Sequence, residues 1–242
     1  MIYFVGAGPG AADLITVRGA ELLSKAGVIV YAGSLVNPEL VSTYAPPSCE
    51  LHDSASMTLS EIVAVLADGH RRNILTVRLH SGDPALYGAV REQFEALRER
   101  EIPFEVVPGV SSLFAASAAL KTEYMIPGQV QTLIVSRVEG RTAAGDSASI
   151  ALFLSAGMTE KACQELIERG YSPKTPAAVV YRASWPDERI IRGTLATLPE
   201  LAEGITKSAI ILAGDFLNDG IHSASRLYDE TFSHEYRDSR LH

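Results

Sequence analysis

Three glycine-rich loops hold the residues best placed to grip a ligand. The first, Gly6-Ala7-Gly8-Pro9-Gly10-Ala11, follows an apolar run directly. Glycines at such a point let the backbone turn sharply and approach a ligand with no Cβ in the way. Read as G-x-G-x-x-A, the loop matches the dinucleotide fingerprint and would set a pyrophosphate on a helix N-terminus. Two features count against that: Pro9 removes an amide, and Val28–Tyr31 leads into Ala32-Gly33-Ser34 with no acidic residue for a ribose. A purely structural turn is the alternative. The second loop, His80-Ser81-Gly82-Asp83-Pro84, offers a carboxylate that either faces a ribose hydroxyl or a sulfonium, or caps a helix opening near Pro84. The third, Pro108-Gly109-Val110-Ser111-Ser112, repeats the theme of a turn followed by small hydroxyls and a helix of alanines. Its small residues admit a flat ligand or serve helix–sheet packing.

Arginines form a second group. Arg137, Arg141 and Arg182 end predicted strands, and their planar forks suit carboxylates. The competing reading makes them solvated ion pairs with Glu139 and its neighbours. Arg189 and Arg192 fit a hairpin edge and are expected to be solvated. His80 either touches substrate or is a satisfied structural histidine. Trp185 either stacks on a ligand or packs, and packing is favoured.

These loops need strands to end at and helices to begin. Ile2–Val5, Val28–Tyr31, Ile74–Leu79 and Phe104–Val107 read as buried strands. Between them lie predicted helices at Val17–Ala26 (capped by Thr16), after Asn37-Pro38, after the capping box Thr58-Leu59-Ser60-Glu61, and at Tyr87–Arg100. Strand–helix alternation of this kind implies a mostly parallel sheet with helices on both faces. Past a break at Lys121–Gln129, strands are predicted at Thr132–Val135, Ile150–Leu154, Ala177–Tyr181, Arg189–Arg192 and Ala209–Leu212. Helices are predicted at Glu160–Arg169 and Leu198–Glu203. Trp185-Pro186-Asp187-Glu188 looks like a hairpin connection, so the second sheet is expected to be mixed. The expected class is therefore α/β with two domains: 1–121 carrying the ligand loops, 122–220 with the mixed sheet, and 221–242 as a polar surface tail. A ligand cleft is expected between the two domains.

The bulk numbers exclude several alternatives. A formal charge of −8 over 242 residues argues against nucleic acid or an acidic membrane as partner. Cys49 and Cys163 stand far apart with no CxxC, so neither a disulfide nor a metal site is expected, and a reducing cytoplasm fits. The N-terminus has no basic n-region, and Val110–Leu120 is too short to span a bilayer.

The combination of loops resembles the tetrapyrrole methylase family across roughly residues 1 to 215. The likeness rests on Tyr31-Ala32-Gly33-Ser34-Leu35-Val36, on Leu79-His80-Ser81-Gly82-Asp83-Pro84, on Ser136 through Thr142, and on Val180 through Glu188. The last two segments point within the family to the members acting on precorrin-4 or cobalt-precorrin-4 at C-11. The resemblance implies S-adenosylmethionine as methyl donor, a tetrapyrrole substrate in cobalamin biosynthesis, and a homodimer. It assigns donor contacts to Gly8, Pro9, Gly10, Ser81, Gly82, Asp83, Leu86, Ser111, Ser112, Leu154 and Ala183. A branched side chain at Gly10 is expected to fill space the donor needs. Asp83, Tyr87 and Glu139 are candidates for the group that takes up a proton, and Arg137, Arg141 and Arg182 for gripping substrate carboxylates. Two departures stand out. Ala11 and Ala12 precede Asp13 where the family commonly has Asp, and the stretch 143–149 is shorter than the likeness implies. The rival readings are another tetrapyrrole methylase, an NAD-linked oxidoreductase resting on the first glycine loop alone, and a non-enzymatic nucleotide-binding module.

Overall fold

The N-terminal apolar run forms β1 (Ile2–Gly6), and four further parallel strands assemble around it: β2 (Val28–Tyr31), β3 (Glu50–Asp53), β4 (Thr76–His80) and β5 (Phe104–Val107). Their order is β3-β2-β4-β1-β5, with every pairing parallel. The computed structural model describes residues 1–138, 148–218 and 230–238. The chain divides into two compact units, Met1–Ala119 with Arg182–Arg189, and Leu120–Tyr181 with Ile190–His242.

In the first unit, α1 (Val17–Ser24) begins at Thr16, whose side chain accepts from the Gly19 amide. Asn37 likewise caps α2 (Pro38–Tyr44) through Glu39. Thr58 and Glu61 form the expected capping box at the start of α3 (Leu59–Arg71). Leu23, Leu40 and Val41 pack with Val5, Val77 and Leu79 on one face of the sheet. Ile62, Val63 and Leu66, with Leu97 of α4 (Arg91–Arg98), pack with Ile2, Phe4 and Val30 on the other. β1 therefore feeds a helix on one face, and its neighbour β4 feeds a helix on the opposite face. That is a topological switch point, where open α/β sheets leave a crevice for ligands.

Two elements differ from expectation. β3 went unpredicted because Glu50-Leu51-His52-Asp53 has one apolar residue in four; it is an exposed edge strand with no buried face to pattern it. The helix expected over Tyr87–Arg100 begins only at Arg91. Tyr87 and Ala89 both lie at left-handed backbone angles, φ 57° and 48°, which no helix accommodates.

β4 puts Thr76, Arg78 and His80 toward the α3/α4 side, and all three are buried. Among the described residues Arg78 hydrogen-bonds to no carboxylate: Nε donates to Gln93 Oε1 at 3.1 Å, and Nη1 to the Val30 carbonyl at 3.2 Å. Burial pushes its pKa down to about 10, so it stays charged at neutral pH. Gln93 in turn donates to the Ala89 carbonyl at 3.0 Å. A buried cation is thus tied through one amide to the left-handed segment.

The second unit contains β6 (Thr132–Ser136), β7 (Ala148–Leu152), α6 (Thr159–Glu168), β8 (Pro176–Tyr181), β9 (Arg189–Thr194), α7 (Leu198–Leu201) and β10 (Ala209–Ala213). Strand order is β6-β7-β10-β8-β9, with β6 and β7 parallel and β10 antiparallel to both its neighbours, so the sheet is mixed. Its core joins Ile150, Val179 and Ile211 to Cys163 and Leu166 of α6 and to Leu198. Arg192, expected to be solvated, donates instead to the carbonyls of Leu217 and Leu120 at 3.1 and 3.0 Å. The connection from β8 to β9, read as a plain hairpin turn, belongs to the first unit. Of the expected surface tail, 221–229 and 239–242 lie outside the described residues.

Gln93→Leu removes the acceptor from a buried guanidinium and should lower unfolding free energy by about 1.5–3 kcal/mol. Urea denaturation checks this, and an unchanged midpoint and slope would contradict the role given to Gln93.

Candidate active site

Three strand ends meet at backbone contact distance. A Cβ on Gly6 would lie 2.5 Å from Gly109 Cα and 2.6 Å from the Gly82 carbonyl oxygen. One on Gly109 would lie 2.2 Å from that same oxygen and 2.7 Å from Gly6 Cα. No side chain fits at either place, because the obstacles are backbone. The loops are also stitched together. Gly8 and Gly82 exchange amide bonds at 3.2 and 2.8 Å, and the Ala7 amide donates to the His80 carbonyl at 2.7 Å. Both glycines hold positive φ, 80° and 65°, so each needs the freedom of its missing side chain.

Asp83 is the polar staple of this cluster. Its Oδ1 accepts from the Ala85 amide at 2.7 Å and its Oδ2 from the Gly109 amide at 2.8 Å. The carboxylate does cap backbone, but it caps a turn and a loop 26 residues away, and no helix opens at Pro84. Ser111 is buried, its hydroxyl accepting from Leu113, and Ser112 opens α5 (Ser112–Leu120). A Cβ on Gly82 would lie 3.6 Å from Ser111 Cα and 3.8 Å from the Ser112 amide nitrogen, in ordinary contact. The structure therefore brings together Gly8, Gly82, Asp83, Ser111 and Ser112, with Ser81 and Leu86 half-buried in the same loops.

Pro9 and Gly10 turn away into a different contact. The Trp185 indole fills the space a Cβ on Gly10 would need, with Cδ1 at 2.1 Å, so Gly10 owes its size to Trp185 and not to an open ligand space. Ala183 is buried beside it. Arg182 pairs with Asp187 at 2.7 Å, and its guanidinium lies 4.5 Å from the Trp185 ring centroid. Tyr87 is exposed. In the second unit, Leu154 is 64% exposed at φ 54° just past β7, and Arg137 is exposed just past β6. Glu139 and Arg141 lie outside the described residues.

Sequence reasoning missed Gly6 and Gly109 as the points of closest approach, the docking of Trp185, and the Arg78–Gln93 pair. The Pro-Gly turn was a visible signal for Gly109, and an arginine inside the apolar run Thr76–Leu79 was one for Arg78. Nothing local signals the tryptophan contact. Among the described residues, no group of three His, Cys, Asp or Glu side chains could hold a metal ion, and no helix is long and apolar enough to cross a membrane.

An α/β protein with ligand loops gathered at a sheet switch point is the class defined by this arrangement. The sequence profile of the Tetrapyrrole (Corrin/Porphyrin) Methylases matches residues 1–199, and the chain belongs to that family. It is 46% identical to the cobalt-precorrin-4 C(11)-methyltransferase of Methanocaldococcus jannaschii, covering 98% of this chain and 96% of that one. Its fold is similar to the X-ray structure of a cobalt precorrin-4 methyltransferase of cobalamin biosynthesis, with TM-score 0.84, 44% identity, and 90% and 95% of the two chains covered. It is also similar to a uroporphyrin-III C-methyltransferase from Thermus thermophilus in complex with S-adenosylhomocysteine. There the TM-score is 0.75 and the identity 28%, over 90% and 93% of the chains.

His80 supplies a pH signature for the β4 end of the site. It is buried and stacks on Phe4 at 5.9 Å, and its Nε2 has no partner among the described residues. Burial first, and the charge of Arg78 second, push its pKa down from 6.5 to about 3. The unfolded chain takes up this proton below pH 6.5, whereas the folded protein refuses it until about pH 3. Stability should therefore fall as pH drops through that window, by up to about 1.4 kcal/mol per unit from this group. Urea unfolding at pH 7 and pH 5 should show wild type losing about 2 kcal/mol more than His80→Phe. Parallel pH slopes for the two proteins would refute the buried neutral imidazole.

Proposed function

We propose that this chain methylates precorrin-4, or its cobalt chelate, at C-11, using S-adenosylmethionine as donor. One observation carries this reading: 46% identity, across nearly the whole of both chains, to a relative named for that reaction. The glycine cluster supports it independently. Gly8, Gly82, Ser111 and Ser112 present backbone and small side chains at the switch point, as a ligand held by backbone groups requires. When bound, S-adenosylmethionine supplies an electrophilic methyl group on a sulfonium. The protein's task is then to hold donor and ring carbon in line and to exclude water, and orientation can supply roughly 7–11 kcal/mol of the barrier.

A new C–C bond forms at C-11 as the S–CH₃ bond breaks, and the pair of that bond leaves on the sulfur of S-adenosylhomocysteine. The methylated macrocycle, whose C-11 then carries no hydrogen, gives up a proton from another of its atoms. Of the groups considered for that proton, Asp83 has both oxygens engaged by amides, which suits it better to fixing the loop than to proton transfer. Tyr87 and Glu139 stay as candidates. Arg137 and Arg141 are the residues we assign to the substrate's carboxylates; Arg182 already has Asp187 and Trp185 as partners. A homodimer is the assembly we propose, on the family resemblance alone.

The direct test incubates the protein with precorrin-4 or cobalt-precorrin-4 and methyl-labelled donor, then assigns the methylated carbon by NMR. Label at C-11 is expected, and label at another carbon or none would overturn the assignment. Arg137→Ala and Arg141→Ala should each lower kcat/KM for the tetrapyrrole at least tenfold, which is about 1.4 kcal/mol. Lysine should restore only part of the loss, because a point charge cannot reproduce the fork. Wild-type kcat/KM in both alanine variants would remove the clamp.

A further inference from the structure

We propose that Trp185 and Ser184 are positioning residues for the methyl donor, acting as a latch that holds the Gly8–Ala11 turn in its binding conformation. The inference rests on the donor reading above but names residues to which that reading gave no part.

Past Gly8, three polar backbone groups of the turn are taken by side chains. The Pro9 carbonyl accepts from Trp185 Nε1 at 3.1 Å, the Gly10 carbonyl from Asn37 Nδ2 at 3.0 Å, and the Ala11 amide donates to Ser184 Oγ at 3.0 Å. Two of the three partners come from a segment more than 170 residues along the chain. Trp185 does more than hydrogen-bond, since its ring occupies the space left open by the absent Gly10 side chain. Glycine is the residue with the widest backbone freedom, so a Gly-Pro-Gly turn without outside contacts would sample many conformations.

The latch is itself held firmly. Trp185 donates its amide to the Arg182 carbonyl at 2.9 Å, and the Glu188 amide donates to the Trp185 carbonyl at 3.0 Å. The Glu188 carboxylate accepts from the Ser184 amide at 2.7 Å, and the Arg182 guanidinium lies over the indole while paired with Asp187. Arg182 and Ser184 both sit at left-handed φ, 48° and 66°. Non-glycine residues keep such angles only where surrounding contacts over-determine them, and such places cluster at ligand clamps. A ligand whose binding conformation is only partly populated binds more weakly in proportion, so loosening the latch lowers donor affinity without touching the donor.

The test uses S-adenosylhomocysteine and isothermal titration of wild type, Ser184→Ala, Ser184→Thr and Trp185→Phe. Each of the alanine and phenylalanine variants loses one hydrogen bond and should bind the ligand about fivefold more weakly. Ser184→Thr keeps the acceptor and should restore affinity to within about twofold. In turnover, the loss should fall on the donor KM and leave the tetrapyrrole KM in place. Trp185 is the one tryptophan of the chain, so its emission should change saturably with ligand, with the calorimetric Kd, in wild type. Wild-type affinity in both Ser184→Ala and Trp185→Phe would overturn the latch, as would a loss in Ser184→Ala that threonine does not repair. Failure of wild type itself to bind the ligand would instead overturn the donor reading.

Discussion

The loop cluster of the first unit depends on one steric constraint: Gly6, Gly82 and Gly109 must touch. Parallel strands β1, β4 and β5 end level with one another, and their loops have to fold over the same point. With side chains there, the Gly82 carbonyl could not lie 2.6 Å from one missing Cβ and 2.2 Å from another. The contact permits the Gly8–Gly82 amide exchange and puts the Gly109 amide within reach of Asp83. It also brings the Gly8, Gly82 and Ser111–Ser112 loops together. A sheet order with crossovers leaving on opposite faces creates the crevice, and the glycines keep it open to backbone contact.

Behind that surface the sheet holds an unusual polar layer. Arg78 and His80 occupy positions that an α/β sheet normally gives to Val or Ile, and they are buried with carbonyls and an amide as neighbours. Their bonds run forward, through Gln93 to Ala89 and from the imidazole to the Gly88 backbone. Both end on the stretch where Tyr87 and Ala89 are left-handed. The buried hydrogen bonds of Arg78 and Gln93 are costly to break, which is how they can sustain the strained loop that follows Asp83.

Much of this was legible in the residues. The strands β1, β2 and β5, the caps at Thr16, Asn37 and Thr58, and the three glycine loops all announce themselves through local pattern. Each is fixed by chemistry within a few residues, which a sequence displays directly. What escaped depends on distant partners or on exposure. β3 buries no face, so it has no period. The segment after Pro84 looks helical until its ties to Arg78 and His80 are known. The Gly10 pocket is filled by a tryptophan 175 positions away, and the second partner of Asp83 lies on another loop. Within the candidate site, the loop membership of Gly8, Gly82, Asp83, Ser111 and Ser112 was visible, and the backbone contact that bars side chains at Gly6 and Gly109 was not.

On the proposed donor reading, backbone contact among the three glycines shapes the surface that S-adenosylmethionine meets. The measurement that tests it most directly is calorimetric binding of S-adenosylhomocysteine to folded Gly109→Ala. A single added methyl group would collide with the Gly82 carbonyl and Gly6 Cα, forcing the β4 and β5 loops apart while leaving the polar groups in the chain. At least a tenfold loss of affinity is expected, about 1.4 kcal/mol. Wild-type affinity in a variant with native circular dichroism and a cooperative unfolding transition would contradict it.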